Sequence, residues 1–126
     1  MDYQEIIHQG ASVKPSEPKK KILLIDDETH ITLLVQEVLA DYPYIIIVAN
    51  DPREGLRQAM LELPHLILLD ISMPEIDGLD TLKQLKHMDK TRMIPVVMLT
   101  GDLTPQTVKE ALAAGAVDYI AKPFRM

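Results

Sequence analysis

The sequence predicts an α/β protein built on a doubly wound, five-stranded parallel sheet. Two observations carry that expectation. Short apolar runs recur along the chain and are continuous rather than alternating, as strands buried on both faces require. Between them lie segments whose apolar residues repeat with helical spacing. Alternation of strand and helix implies parallel pairing through right-handed crossovers, with helices on both faces. At 126 residues the chain can bury one sizeable core and not two.

The first twenty residues stand apart. Ala11–Lys21, rich in proline, serine and lysine, reads as an extended, solvated linker. Before it, Tyr3–Gln9 offers one short helical turn around Ile6 and Ile7, and a frayed tail is the plainer expectation. Residues 1–20 are therefore read as tail and linker, and 21–126 as the folded domain. The first strand is expected over Ile22–Ile25. Ile31, Leu34, Val35, Val38 and Leu39 then share one face of a first helix. Tyr44–Ala49 follows as the second strand. Asp51-Pro52-Arg53-Glu54 opens the second helix with a cap, a proline at the first position and a glutamate three residues after the cap. Leu66–Leu69 is the third strand. Asp77-Gly78 reads as a turn into a third helix marked by Leu79, Leu82 and Leu85. After the fourth strand, Val96–Leu99, Thr104-Pro105 starts a fourth helix bearing Val108, Ala111 and Leu112, which stops near Gly115. Val117–Ile120 is the fifth strand.

Composition removes several classes of function. Thirteen basic against nineteen acidic residues give a net charge of −6, a poor basis for gripping nucleic acid. No apolar run approaches the roughly 20 residues needed to span a bilayer, and the N-terminus lacks the form of a secretory signal. The absence of cysteine excludes disulfides and thiolate metal sites and fits a reducing, cytoplasmic setting. His8, His30, His65 and His87 have no metal-ligand spacing and read as surface or loop residues. The methionines read as core filler, and Lys19-Lys20-Lys21 as part of the linker.

What distinguishes this chain is where its strands end. The first delivers Asp26-Asp27, the third Asp70, the fourth Thr100 and the fifth Lys122. In open α/β sheets ligands bind beyond the carboxyl ends of the strands, near the switch in winding direction. If the first and third strands are neighbours, about 4.8 Å apart, then Asp26, Asp27 and Asp70 share a small volume. Carboxylates that close take up protons unless a cation joins them. The donors are all oxygen, which favours Mg²⁺. The bland alternative is an acidic rim compensated by Lys122 alone. With Mg²⁺ in place, the Asp70 carboxylate could attack phosphorus and become an aspartyl phosphate. Lys122 would neutralise the phosphoryl oxygens and Thr100 would donate a hydrogen bond to one of them.

Four motifs, in order, carry a resemblance. They are Ile25-Asp26-Asp27-Glu28, Leu68 to Gly78 around Asp70, Leu99-Thr100-Gly101, and Tyr119-Ile120-Ala121-Lys122-Pro123-Phe124. From Lys21 onward the chain resembles the response-regulator receiver domains of two-component signalling, the CheY-like group. The resemblance implies a flavodoxin-like fold with strand order 2-1-3-4-5. It implies that Asp70 accepts a phosphoryl group from a phosphohistidine on a partner sensor histidine kinase or histidine phosphotransfer protein. It further implies direct Mg²⁺ ligation by Asp27, Asp70 and the backbone carbonyl of Ser72, with Asp26 bound mainly through water. Lys122 would pair with the phosphoryl group, Thr100 would swing towards it, and Tyr119 would change rotamer in response. A cis peptide at Lys122-Pro123 belongs to the same pattern. Ser72 and Asp102 would flank the site. Such a chain is a switch that catalyses its own phosphorylation and dephosphorylation rather than a turnover enzyme.

Two other readings stand beside it. A Mg²⁺-dependent phosphatase with an aspartate nucleophile wants a second acid two residues on, where this chain has Ser72. A receiver-like interaction module would lack one of Asp26, Asp27, Asp70 or Lys122, and all are present. The resemblance also implies a fifth helix after Pro123, where only Phe124-Arg125-Met126 remain. The expectation is a C-terminally truncated receiver, the portion of a longer protein with an output domain beyond residue 126. Its bare apolar face would self-associate or take up the segment with Ile6 and Ile7, and self-association is the expected outcome.

Overall fold

A computed structural model of the chain describes residues 19–71, 78–101 and 104–122. The elements are β1 (Lys20–Ile25), α1 (Thr29–Val38), β2 (Tyr44–Ala49), α2 (Pro52–Glu62), β3 (Leu66–Asp70), α3 (Gly78–His87), β4 (Val96–Thr100), α4 (Pro105–Ala113) and β5 (Asp118–Ala121). All strand pairs are parallel, in the order β2-β1-β3-β4-β5. This is the doubly wound sheet expected, with β1 and β3 adjacent. No helix follows β5 among the described residues. Within those residues no helix is long and apolar enough to cross a membrane.

Local chemistry places the helix starts. Asp51 caps α2 by accepting a hydrogen bond from the Glu54 amide at 2.8 Å, and Pro52 fills the first turn, where its missing N–H costs nothing. The Glu54 side chain turns along the helix to Arg57 and Gln58 instead of back to the cap, and those partners lower its carboxyl to about 2. Thr104 caps α4 through the Thr107 amide, again with proline behind it.

The sheet divides the core in two. On one side Leu23, Ile25, Ile67, Leu69, Val96 and Met98 pack against Ala59 of α2, Leu82 and Leu85 of α3 and Ala111 of α4. On the other, Ile22, Leu24, Leu68 and Leu99 meet only Ile31 and Val35 of α1 among the buried residues.

This asymmetry corrects several sequence expectations. Burial on both faces holds for the inner strands β1, β3 and β4, but β5 is exposed along its length and β2 is only partly buried. Each of those two has a strand neighbour on one side alone. Val38 and Leu112, read as core-facing from their helical spacing, are 44% and 45% exposed. Periodicity marks an apolar stripe, but only the part with sheet beneath it is buried. Met98 is core filler, whereas Met60 and Met93 lie on the surface. The first strand starts at Lys20, so pairing with β2 reaches into the stretch read as linker.

Gly78 is more than a turn residue. A Cβ there would collide with the backbone oxygen of Asp70 and come within 2.5 Å of the Ile71 Cα. Its amide donates to the Ile71 carbonyl at 3.2 Å. Only glycine lets α3 begin this close to the end of β3.

Candidate functional site

The carboxyl ends of β1, β3, β4 and β5 converge on one rim. Asp26 follows β1, Asp70 and Thr100 are the last residues of β3 and β4, and Lys122 follows β5. Register brings them together: β1 pairs with β3, Asp70 stands opposite Leu99, and Thr100 opposite Ala121. Asp26, Asp70 and Thr100 are 0%, 1% and 2% exposed, so the rim continues the core in polar form.

Lys122 is the cation at the centre. Its Nζ lies 2.8 Å from Asp26 Oδ2, 3.0 Å from Glu28 Oε1 and 3.3 Å from Asp70 Oδ2. Its amide also donates to the Thr100 carbonyl at 2.8 Å, which fixes the start of its side chain beside β4. Burial works against the lysine charge. Hydrogen bonds to Asp26 and Glu28, with the Asp70 charge, more than offset that and hold the ammonium above the usual lysine range. Asp26 shows the opposite balance. Burial pushes its carboxyl up, Lys122 and the Glu28 amide pull it down, and the nearby Asp70 charge pushes it up again, leaving it raised.

One carboxylate oxygen from each of Asp26, Asp27, Glu28 and Asp70 lies within 4.8 Å of the others. Asp26 Oδ1 accepts from the Glu28 amide at 2.9 Å. Its Oδ2 is buried and has no well-directed hydrogen bond beyond the Lys122 ion pair. A set of hard oxygen donors with net negative charge and a buried, under-satisfied oxygen fits a small divalent cation such as Mg²⁺.

Asp26, Asp27, Asp70, Thr100 and Lys122 are thus gathered as the strand ends imply. Ser72, Asp102 and Pro123 lie outside the described residues. Tyr119 sits opposite Met98, two register steps from the Thr100–Ala121 pair and on the same face of the sheet as Thr100; it is 40% exposed. Glu28 is the member that sequence reasoning overlooked. It completes the Ile25-Asp26-Asp27-Glu28 motif, and the available signal was a third consecutive acid after β1.

The response regulator receiver domain family matches residues 22–126. The chain belongs to that family. Receiver domains are signalling switches rather than turnover enzymes. The chain is 41% identical over 105 residues to the alkaline phosphatase synthesis transcriptional regulatory protein PhoP of Bacillus subtilis, covering 83% of this chain and 43% of that protein. It is 39% identical over 108 residues to a protein-glutamate methylesterase/protein-glutamine glutaminase of Geobacter metallireducens, covering 84% of this chain and 30% of that one. The receiver therefore spans less than half the length of these curated relatives. Among solved structures, the chemotaxis protein CheY4 of Vibrio cholerae superposes with a TM-score of 0.81 at 30% identity, covering 86% of this chain and 90% of that chain. The Mn²⁺-bound response regulator Rcp1 superposes at 0.75, also at 30% identity, covering 86% and 84%.

Proposed function

We propose that this receiver is a phosphorylatable switch in which Asp70 takes a phosphoryl group from a phosphohistidine on a histidine kinase or phosphotransfer protein. One observation carries the reading: Asp70 is buried at the end of the central strand β3, with Lys122 Nζ 3.3 Å from its Oδ2 and the Asp26–Asp27–Glu28 run beside it. In the transfer a carboxylate oxygen of Asp70 forms a bond to phosphorus. The phosphorus–nitrogen bond breaks, its electron pair leaves with the imidazole nitrogen, and the product is an acyl phosphate. Lys122 supplies a fixed positive charge to the phosphoryl oxygens, and Thr100 a hydroxyl from the neighbouring strand end.

Asp26, Asp27 and Asp70, with the backbone carbonyl of Ser72, would hold Mg²⁺, Asp26 through a water. When bound, that ion supplies further neutralisation of the transferring group. Thr100 and Tyr119 share a face of the sheet, which supports a paired response: the hydroxyl turns towards the phosphoryl group and the tyrosine changes rotamer on the exposed side of β5. Residues 21–126 would form the receiver and 1–20 a preceding linker. The relatives' greater length supports an output domain joined to receivers of this kind. A kinase-made phosphohistidine as donor places the proposed action in the cytoplasm.

The test is incubation with Mg²⁺ and acetyl phosphate, followed by intact mass measurement. The wild type should gain one phosphoryl group, and Asp70→Asn should gain none while melting as a folded protein. Uptake by Asp70→Asn at the wild-type rate would overturn the assignment. Continuous release of phosphate over many turnovers would indicate a phosphatase instead.

A further inference from the structure

The N-cap of α1 is Glu28. Short polar residues are favoured at that position because a side-chain oxygen reaches the amides of the first turn. Asp51 and Thr104 do so for α2 and α4. Glu28 makes no such bond. Its backbone is nevertheless held firmly: its amide donates to Asp26 Oδ1, and its carbonyl accepts from the Ile31 and Thr32 amides. The carboxylate, free of the capping role, crosses to Lys122, with Oε1 3.0 Å from Nζ. The other oxygen lies 3.4 Å from Nε2 of the exposed His30.

We propose that Glu28 is a positioning residue that holds Lys122 in the unphosphorylated state and releases it when Asp70 is phosphorylated. The proposal rests on the reading of Asp70 given above. An ammonium has three hydrogens, and the Lys122 Nζ already faces Asp26, Glu28 and Asp70. To bring a hydrogen onto a phosphoryl oxygen, the ammonium turns away from one of these carboxylates. Asp26 is fully buried, and losing its cation would strand a charge in the core. Asp70 carries the phosphoryl group itself. The Glu28 side chain is 42% exposed and can turn into water or towards His30. Glu28 is therefore the partner released at least cost. Because its carbonyl receives the first hydrogen bonds of α1, the exchange also reaches the start of that helix.

Glu28→Asp separates this role from simple charge or metal ligation. Aspartate keeps the negative charge, is one methylene too short to reach Lys122, and is well suited to cap α1. We expect acetyl phosphate to phosphorylate Glu28→Asp and Glu28→Gln about two- to fivefold faster than wild type, the range for a part-exposed ion pair. The gain should persist at saturating Mg²⁺, with the Mg²⁺ affinity of each variant measured by calorimetry. In the metal-free protein, the ammonium protons of Lys122, followed by ¹⁵N NMR, should exchange with water faster in both variants. A Glu28→Asp rate equal to wild type, unchanged Lys122 proton exchange, or a loss of Mg²⁺ affinity that accounts for the rates would each overturn the proposal. A wild type that takes up no phosphoryl group would fail the reading of Asp70, and the proton exchange would still decide whether Glu28 holds Lys122.

Discussion

A buried carboxylate is costly unless something offsets its charge, and Asp26 is only partly offset. Its carboxyl is raised, chiefly by burial. Asp26→Asn keeps the shape and the bond from the Glu28 amide while removing the charge. In chelator at neutral pH the variant should be more stable than wild type. The folded carboxyl takes up its proton at higher pH than the unfolded one, so wild-type stability falls as pH rises from about 4 through the raised folded value. The advantage of Asp26→Asn should therefore vanish towards acid pH in urea titrations. An advantage that persisted unchanged to about pH 3 would contradict the assignment of burial as the cause. Lys122→Ala removes the compensating cation and should cost about 3 kcal/mol in chelator. Mg²⁺ should restore part of that loss and bind at least as tightly as to wild type, which a thermal melt with and without the ion would measure. Asp26, Asp27, Asp70, Thr100 and Lys122 were legible because each sits where an apolar run stops. Glu28 was not, because a residue after a strand reads locally as turn or cap and its partner is 94 residues away.

Two glycines set how closely elements approach the site. A Cβ at Gly78 meets the backbone of Asp70 and Ile71, which has nowhere to go. A Cβ at Gly55 meets the Ile25 side chain, as near as 2.5 Å at Cδ1, and a side chain can rotate. Gly78→Ala should destabilise by about 1–3 kcal/mol and slow phosphorylation by displacing Asp70. Gly55→Ala should cost less, since roughly 0.5–1 kcal/mol of helix propensity is regained. Chemical denaturation of the two variants would rank them, and a harmless Gly78→Ala would refute the close approach. In the sequence Gly78 looked like half of a turn, because spacing along a chain says nothing of what faces a residue across a gap. Strand identity was easier to read, since Ile22–Ile25, Leu66–Leu69 and Val96–Leu99 are apolar at every position. The same continuity misled at Val117–Ile120, because a strand at the border of a sheet can be apolar and still meet solvent.

Across the whole molecule, the two faces of the sheet bear different loads. Three helices insert buried side chains into one core and α1 alone does so on the other. Leu85→Ala, at a fully buried position of α3, should cost about 2–5 kcal/mol. Leu112→Ala, nearly half exposed on α4, should change stability by no more than about 0.5 kcal/mol. Equal losses in urea midpoints would mean that the helical stripe of α4 is buried as its periodicity suggests. The long-range ion pairs of Lys122 have one more consequence, for the chain as it is made. A ribosome releases β1 and its acids first and β5 last, and domains start to fold from the N-terminal end. Until the final strand docks, Asp26 and Asp70 face each other without their lysine. A nascent chain arrested before Lys122 should thus be a loose, protease-sensitive precursor, and divalent cation in the surrounding fluid should tighten it by standing in for a side chain not yet synthesised.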